Sequence, residues 1–252
     1  MVVGRRVLAL WGAPRTVSTA FERMMRERGD HDARFEPFAA YYYFSAERRS
    51  ARFDGKVAPR PEHAFGAILD DLLHRARRRP VFIKDMAYHV VDRVDEAFLS
   101  AFRHTFILRH PRFAIASLAR IWPDFTFEEA GFAALRHLFD AVAEHEGWSP
   151  IVIDGEDLLA DPRRVVAAWC EAVGLPYLPE ALTWEPARAD DWRTWSRWTQ
   201  EVMRSRGLPT EGTPRPPRDG DEFRLDDPWL EEVVSACLPH YEHVVAHRVV
   251  AA

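Results

Sequence analysis

The sequence predicts an α/β fold in which helices flank a mostly parallel central sheet. Short apolar runs of strand length alternate with longer segments whose apolar residues recur at helical spacing. A chain of 252 residues with 47% hydrophobic residues can also bury a full core. The sequence contains neither an internal repeat nor a sign of a domain boundary. We therefore expect one α/β domain over residues 1–252.

Composition narrows the classes of function. The net charge of −5 gives no support for nucleic-acid binding, and no segment approaches the roughly 20 apolar residues that span a membrane. Cys170 and Cys237 lie far apart in helical patterns, without a CxxC or Cys/His zinc motif. Arg5 and Arg6 before Val7–Trp11 resemble a secretion signal, but so short an apolar run better fits a buried strand. We expect a soluble, cytoplasmic protein that binds neither nucleic acid nor membranes.

The first candidate site lies in Val7–Arg26, which runs from an apolar strand through a loop into a helix. The first N–H groups and the positive end of such a helix bind anions. Counted from Gly12, the loop has the length of the phosphate loop GxxxxGK[ST]. The second glycine, the lysine and the final hydroxyl of that loop fall on Val17, Ser18 and Thr19. Arg15 is the only cation of the loop, so the sequence predicts a phosphate cradle without the usual lysine.

The remaining elements follow in order. Further strands are predicted at Ala33–Phe35, Val81–Ile83, Thr105–Leu108 and Pro150–Ile153. Helices are predicted from Pro61, around Asp92–Phe102, over Pro111–Arg120, over Phe127–Glu146, from Asp161 to near Gly174, and over Pro228–Val249. The aromatic segment Phe38–Phe44 is a packing loop or lid, or a wall of an acceptor site. The tryptophan-rich Trp184–Trp198 packs on the sheet edge or lies near a bound base, and Arg206–Asp227 is a surface loop.

Polar groups follow the predicted strands at their carboxyl ends, where open α/β sheets build their sites. Glu36 follows the second strand, because Pro37 prevents a helix there. Lys84 ends the third strand, and Arg109 ends the fourth, with Ser117 eight residues later. Cations and hydroxyls around one carboxylate suit a ligand with several phosphate-like groups, and the carboxylate suits proton abstraction. No set of magnesium carboxylates is evident, so we expect no metal.

Two motifs stand in order along the chain. Pro14-Arg15-Thr16-Val17-Ser18-Thr19 follows the pattern P-[RK]-S-G-T-[ST], with Val17 in place of the glycine. Arg109-His110-Pro111 with Ser117 follows the pattern R-x-P-x-x-x-x-x-S. They resemble the motifs of sulfotransferases that use 3′-phosphoadenosine-5′-phosphosulfate (PAPS). The resemblance covers nearly the whole chain, since it extends to Lys84-Asp85-Met86, to the segment Gly155–Pro162 and to the terminal His247-Arg248.

The resemblance implies a P-loop-NTPase-like three-layer fold and a binding site for PAPS as co-substrate. The loop from Arg15 to Thr19, which includes Val17, would hold the 5′-phosphosulfate through its N–H groups. Its hydroxyls would assist, namely those of Thr16, Ser18 and Thr19. Arg109 and Ser117 would hold the 3′-phosphate, which distinguishes PAPS from ATP.

The resemblance also implies the catalytic groups. Arg15 would stabilise the transferring sulfuryl group. From the residues themselves, Lys84 would add a second charge, so no metal is needed. Glu36 would be the general base toward a small-molecule hydroxyl acceptor, and His89 is the alternative base. The Trp192–Arg197 region would close over the adenosine end.

Other interpretations stay open at this stage. Lys84 could pair with a carboxylate rather than touch the co-substrate, and Glu36 could be a structural partner of an arginine. A P-loop kinase is the alternative enzyme, and a catalytically inactive nucleotide-binding member of the family is another alternative, because Val17 could distort the cradle. The acceptor could be an aromatic molecule, a lipid-like molecule or a sugar. Any of these could contact Phe35, Phe38 and Tyr41–Tyr43. The oligomeric state is not predicted.

Overall fold

The computed structural model describes residues 7–186, 192, 195–208 and 225–249. Its strands are β1 (Val7–Gly12), β2 (Asp32–Phe35), β3 (Val81–Met86), β4 (Phe102–Leu108) and β5 (Ile151–Asp154). They form one sheet in the order β2-β3-β1-β4-β5, and every neighbouring pair is parallel. The predicted parallel α/β architecture is confirmed.

Eleven α-helices lie within the described residues. They are α1 (Ser18–Arg28), α2 (Ala39–Phe44), α3 (Phe65–Ala76), α4 (Glu96–Ala101), α5 (Pro111–Ile121), α6 (Phe127–Ala130), α7 (Phe132–Glu146), α8 (Gly155–Ala160), α9 (Pro162–Ala172), α10 (Ser196–Arg204) and α11 (Pro228–Val245). Single 3₁₀ turns occur at Pro61–His63, Ala87–His89, Val91–Arg93 and Pro179–Leu182. The predicted start of a helix at Asp161 is explained by its carboxylate, which accepts a hydrogen bond from Arg164 N.

The helices form a layer on each face of the sheet. All of β1 is buried, and its alternate side chains point to opposite faces. Val7, Ala9 and Trp11 join a cluster with residues of α3, α4 and α7. Leu8 and Leu10 join a second cluster with residues of α1 and α9. A strand covered on both faces must be apolar throughout, which is why β1 reads as a continuous apolar run.

The predicted helix Phe127–Glu146 is wrong, because the chain turns at Gly131 and forms α6 and α7 instead. Gly131 has φ 82°, in the left-handed region that favours glycine. A Cβ there would lie 3.1 Å from Pro14 Cδ and 3.4 Å from Ala13 Cα. The turn therefore lets α7 begin against the loop that follows β1.

Other predicted boundaries are also wrong. β3 continues to Met86, so Lys84 and Asp85 lie within the strand rather than at its end. Phe102 begins β4 instead of ending a helix, and the last helix ends at Val245. The aromatic segment Phe38–Phe44 is largely the helix α2.

Two predicted segments lie partly outside the residues that the structure describes. Residues 187–191, 193–194 and 209–224 are not among the described residues, so most of the predicted surface loop and part of the tryptophan-rich segment lie there. Among the helices that are described, none is long and apolar enough to cross a membrane.

Candidate active site

The loop between β1 and α1 has the backbone of an anion cradle. Arg15 and Val17 are left-handed, with φ of 64° and 67°. α1 begins directly after Val17, without a capping side chain or an acidic residue in its first turn. The N–H groups at such a helix start attract anions. Val17 thus takes a conformation in which glycine is favoured, and its side chain does not prevent the cradle from forming.

A cleft of about 270 Å³ opens beside this loop at the carboxyl ends of the strands. It is lined by Arg15, Thr16, Val17, Ser18, Thr19, Ala20, Glu36, Lys84, Met86, Arg109, Ser117, Arg120, Leu159, Trp198, Glu201 and Val202. The predicted site residues all line this cleft except His89. Four cations and two carboxylates among the lining residues give it a net charge of +2.

Arg15 lies between α5 and α10. Its Nε donates a hydrogen bond to Ser117 Oγ at 2.9 Å. Its Nη2 pairs with Glu201 Oε2 at 3.0 Å, and its Nη1 donates to Trp198 O at 3.4 Å. Burial lowers the pKa of the Arg15 guanidinium, and the Glu201 carboxylate opposes that shift. The cradle's cation is therefore tied to both helices that border the cleft.

Arg109 and Ser117 line the same cleft but bond to different groups. Ser117 accepts from Arg15, as described, whereas Arg109 Nε donates to Glu156 Oε1 at 2.8 Å. The Arg109 guanidinium also lies over the Phe113 ring, with its Cζ 5.3 Å from the centroid. Glu156 belongs to the segment Gly155–Pro162, so this segment positions the arginine of the second motif.

Lys84 and Glu36 form an ion pair inside the cleft. β2 and β3 pair with Phe35 opposite Lys84, so the residue after Phe35 comes within reach of the lysine. The Lys84 ammonium pairs with Glu36 Oε1, and the lysine side chain is fully buried. Glu36 has φ 45°, and its N–H donates to Lys84 O at 2.7 Å. The alternative for Lys84 is thus partly realised, because Lys84 pairs with a carboxylate, yet both residues still border the cleft. The partner of Glu36 is this lysine rather than an arginine.

His89 lies in a smaller pocket next to the cleft. This pocket measures about 20 Å³ and shares Glu36, Met86 and Trp198 with the cleft. His89 Nδ1 pairs with Asp85 Oδ1 at 2.6 Å. Asp85 is itself fixed, since it accepts hydrogen bonds from Phe38 N and Met86 N at 2.7 and 2.8 Å. The alternative base is therefore held by a buried carboxylate.

The sequence reasoning did not assign seven of the lining residues to the site, and three of these carry a charged or aromatic side chain, namely Arg120, Trp198 and Glu201. Arg120 follows Ser117 by three residues on α5, a spacing that puts both on one side of a helix, so helical spacing could have found it. Trp198 and Glu201 lie on α10, far along the chain from the cradle, and carry no motif. Of the proposed adenosine-end region, Trp192 is buried beside Phe35, with ring centroids 6.1 Å apart. The contact of that region with an adenosine stays a prediction.

The lining of the cleft fits a ligand with several phosphate or sulfate groups. It combines an open helix N-terminus, the side chains of Ser18 and Thr19, and a surplus of cations. Among the described residues, no group of three His, Cys, Asp or Glu side chains could hold a metal ion.

A parallel sheet with an anion cradle after its central strand defines the P-loop-like class of α/β proteins. Within that class, the family described as "Sulfotransferase domain" matches residues 5–246. The chain therefore belongs to the sulfotransferase domain family, and the resemblance seen in its motifs is confirmed.

Solved sulfotransferase domains have the same fold. The Sulfotransferase Domain from the Synechococcus PCC 7002 Olefin Synthase superposes with a TM-score of 0.54 at 15% identity, covering 92% of this chain and 94% of that one. The Sulfotransferase Domain from the Curacin Biosynthetic Pathway has a TM-score of 0.51 at 15% identity, covering 94% and 97%. The predicted P-loop-NTPase-like three-layer fold is confirmed.

Curated relatives come from Arabidopsis thaliana. Branched-chain-amino-acid aminotransferase-like protein 2 is 22% identical over 96% of this chain and 42% of its own length. Branched-chain-amino-acid aminotransferase-like protein 1 is 21% identical over 76% of this chain and 34% of its own length. The chain thus spans less than half the length of these relatives.

Proposed function

We propose that the protein is a PAPS-dependent sulfotransferase that transfers a sulfuryl group to the hydroxyl of a small molecule. Membership of the family supplies the class of reaction. The observation that carries the proposal is the cleft, in which the cradle, the strand-end cations and Glu36 line one cavity. We further propose that no metal takes part, since the cations of the chain can offset the charge of the transferring group.

The cradle and α5 would hold the co-substrate at its two ends. The N–H groups of Arg15–Thr19 and the hydroxyls of Ser18 and Thr19 would bind the 5′-phosphosulfate. Thr16 Oγ1 already donates to Ala13 O at 2.8 Å, so we propose that Thr16 contributes its N–H rather than its hydroxyl proton. Arg109 and Ser117 would bind the 3′-phosphate.

The chemistry would use the residues between the cleft and the small pocket. PAPS, when bound, supplies the sulfuryl group. Arg15 and Lys84 would offset its negative charge, which is the main task in transfers of this kind. We propose Glu36 as the base that takes the acceptor's proton, because it borders both the cleft and the small pocket, whereas His89 borders only the pocket.

Calorimetric titration with 3′-phosphoadenosine-5′-phosphate (PAP) tests the binding step. We expect PAP to bind more tightly than AMP, because AMP lacks the 3′-phosphate. Arg109→Ala should remove most of that difference. Arg112→Ala is the matched control, since Arg112 pairs with Glu231 at 2.6 Å and does not line the cleft. Equal binding of PAP and AMP by the unmodified protein would refute the proposal.

Transfer itself is measured with radiolabelled PAPS and a panel of hydroxyl acceptors. Labelled sulfate ester is the expected product. Binding of PAP without transfer to any acceptor would favour the inactive-member alternative. Magnesium-dependent consumption of ATP would favour the kinase alternative, in which Ser18 stands at the position of the usual lysine.

A further inference from the structure

The small pocket beside the cleft has walls that are almost entirely apolar. Glu36 and His89 bring a carboxylate and an imidazole, and the other described lining residues are aromatic or apolar. Trp122 and Trp198 pack edge to face, with centroids 5.0 Å apart. No arginine or lysine is among the described lining residues. A charged acid would therefore find no arginine or lysine to pair with in this pocket and would meet the Glu36 carboxylate.

Two tyrosine side chains in the pocket wall form a hydrogen bond with each other. Tyr43 and Tyr88 share a hydrogen bond of 3.1 Å between their hydroxyl oxygens. Burial raises the pKa of both phenols well above the ordinary value, so they stay neutral. A ligand with many hydroxyls would gain little from this wall, and burying an unpaired hydroxyl is unfavourable by about 1–3 kcal/mol.

His89 presents a polar atom without a partner to a ligand in the pocket. The His89 side chain is 1% exposed, and its Nδ1 is held by Asp85. Its Nε2 is buried and has no hydrogen-bond partner in the described part of the chain. A buried nitrogen without a partner is unfavourable by about 1–3 kcal/mol. A hydroxyl both donates and accepts, so it can satisfy Nε2 in either protonation state of the ring.

The small volume of the pocket limits which ligands can enter. Its free volume is about 20 Å³, which holds little more than one water molecule, whereas a cavity that takes up benzene measures about 150 Å³. A phenol ring therefore does not fit beside His89 without displacement of the walls. The hydroxyl end of an aliphatic alcohol is narrower than a ring and needs less displacement of the walls.

We propose that this pocket is the acceptor site and that it selects an uncharged aliphatic alcohol over phenols, sugars and hydroxy acids. The proposal rests on the proposed sulfotransferase function, since the pocket shares Glu36 with the cleft for the co-substrate. The hydroxyl lies between Glu36 and His89 Nε2, and the alkyl chain contacts Trp195 and Trp198.

Calorimetric titration of the PAP-saturated protein tests the selectivity. The ligands are 1-hexanol, phenol, glucose and 3-hydroxyhexanoate, the last of which keeps the chain length of hexanol and adds a charge. We expect 1-hexanol to bind at least about tenfold more tightly than each of the others. If glucose, phenol or 3-hydroxyhexanoate binds as tightly as 1-hexanol, the proposal is wrong.

Two variants link the selectivity to the pocket. Trp195→Ala should widen the pocket and reduce the ratio of the Kd of phenol to the Kd of 1-hexanol to less than about threefold. Trp148→Ala changes a side chain that is 66% exposed and should leave this ratio unchanged. His89→Leu should weaken 1-hexanol binding and leave PAP affinity unchanged. Unchanged selectivity in Trp195→Ala together with unchanged hexanol affinity in His89→Leu would place the acceptor elsewhere.

The PAP titration distinguishes a failure of the proposed function from a failure of the acceptor assignment alone. If PAP does not bind, the proposed function fails, and the alcohol titrations without PAP still test the pocket. If PAP binds and 1-hexanol shows no preference, only the assignment of the acceptor fails.

Discussion

Replacing Glu201 by Gln should tighten the binding of PAP. Glu201 Oε2 lies 3.0 Å from Arg15 Nη2, and the Glu201 side chain is 80% exposed. Its carboxylate therefore competes with an anionic ligand for the guanidinium of the cradle. Because the carboxylate is this exposed, we expect the ion pair to contribute about 0.2–1 kcal/mol, which corresponds to about a 1.4- to 5-fold lower Kd for PAP in the variant.

Calorimetric titration with PAP at low and high salt measures the effect. Because salt screens the exposed pair, the ratio of wild-type to Glu201→Gln Kd should fall toward one as ionic strength rises. Glu185→Gln is the matched control, since Glu185 pairs with Arg206 at 2.7 Å and does not line the cleft. A Kd that is unchanged or higher in Glu201→Gln would show that Glu201 does not compete with the ligand.

Three further predictions concern the base, the turn before α7 and a buried carboxyl. Glu36→Gln should leave the Kd of PAP nearly unchanged and lower kcat by about 10²–10⁴-fold; full activity in Glu36→Gln with loss in His89→Ala would reverse the assignment of the base. Gly131→Ala should lower the free energy of unfolding in urea by at least about 1–2 kcal/mol, because its φ is 82° and its Cβ would press on the cradle loop. Gly66→Ala, where a Cβ meets nothing within 4 Å, should instead raise it by about 0.5–1 kcal/mol, and equal effects of the two changes would contradict the account of the turn. Burial raises the pKa of the Asp154 carboxyl to about 6, and the negative charge of Glu156 is the second largest cause of this shift. The folded state then holds this proton more tightly than the unfolded chain, whose pKa is about 3.9, so stability is lost as the pH rises through about 6. Relative to Asp154→Asn, the wild type should lose up to about 3 kcal/mol of unfolding free energy between about pH 4 and pH 7 in urea titrations; parallel pH profiles would refute this.

The sheet could be predicted from the sequence because its strands are buried on both faces. Such strands are continuous apolar runs, and the carboxyl ends of parallel strands share one edge of the sheet. The order of the strands has no such signature. The pairing of Lys84 with Glu36 depends on β2 lying next to β3, so sequence reasoning could leave it only as one alternative.

The missed features depend on contacts between distant parts of the chain. The helical pattern continues through Gly131, whereas the turn there depends on a left-handed φ and places the residue close to Pro14 and Ala13. The partner of Arg15 on α10 is 186 residues away, beyond the reach of any local pattern. The roles of the site residues, the single-domain organisation and the cytoplasmic location stay predictions.

Val17 bears on how such loops are recognised in other proteins. Sequence patterns for this loop specify a residue type, glycine. Anion binding, in contrast, depends on the direction of the N–H groups, which the backbone torsion angles determine. A β-branched residue at φ 67° shows that the torsion can persist after the glycine is gone. A search that demands the letter G at this position would discard chains of this kind, and a search on torsion angles would retain them.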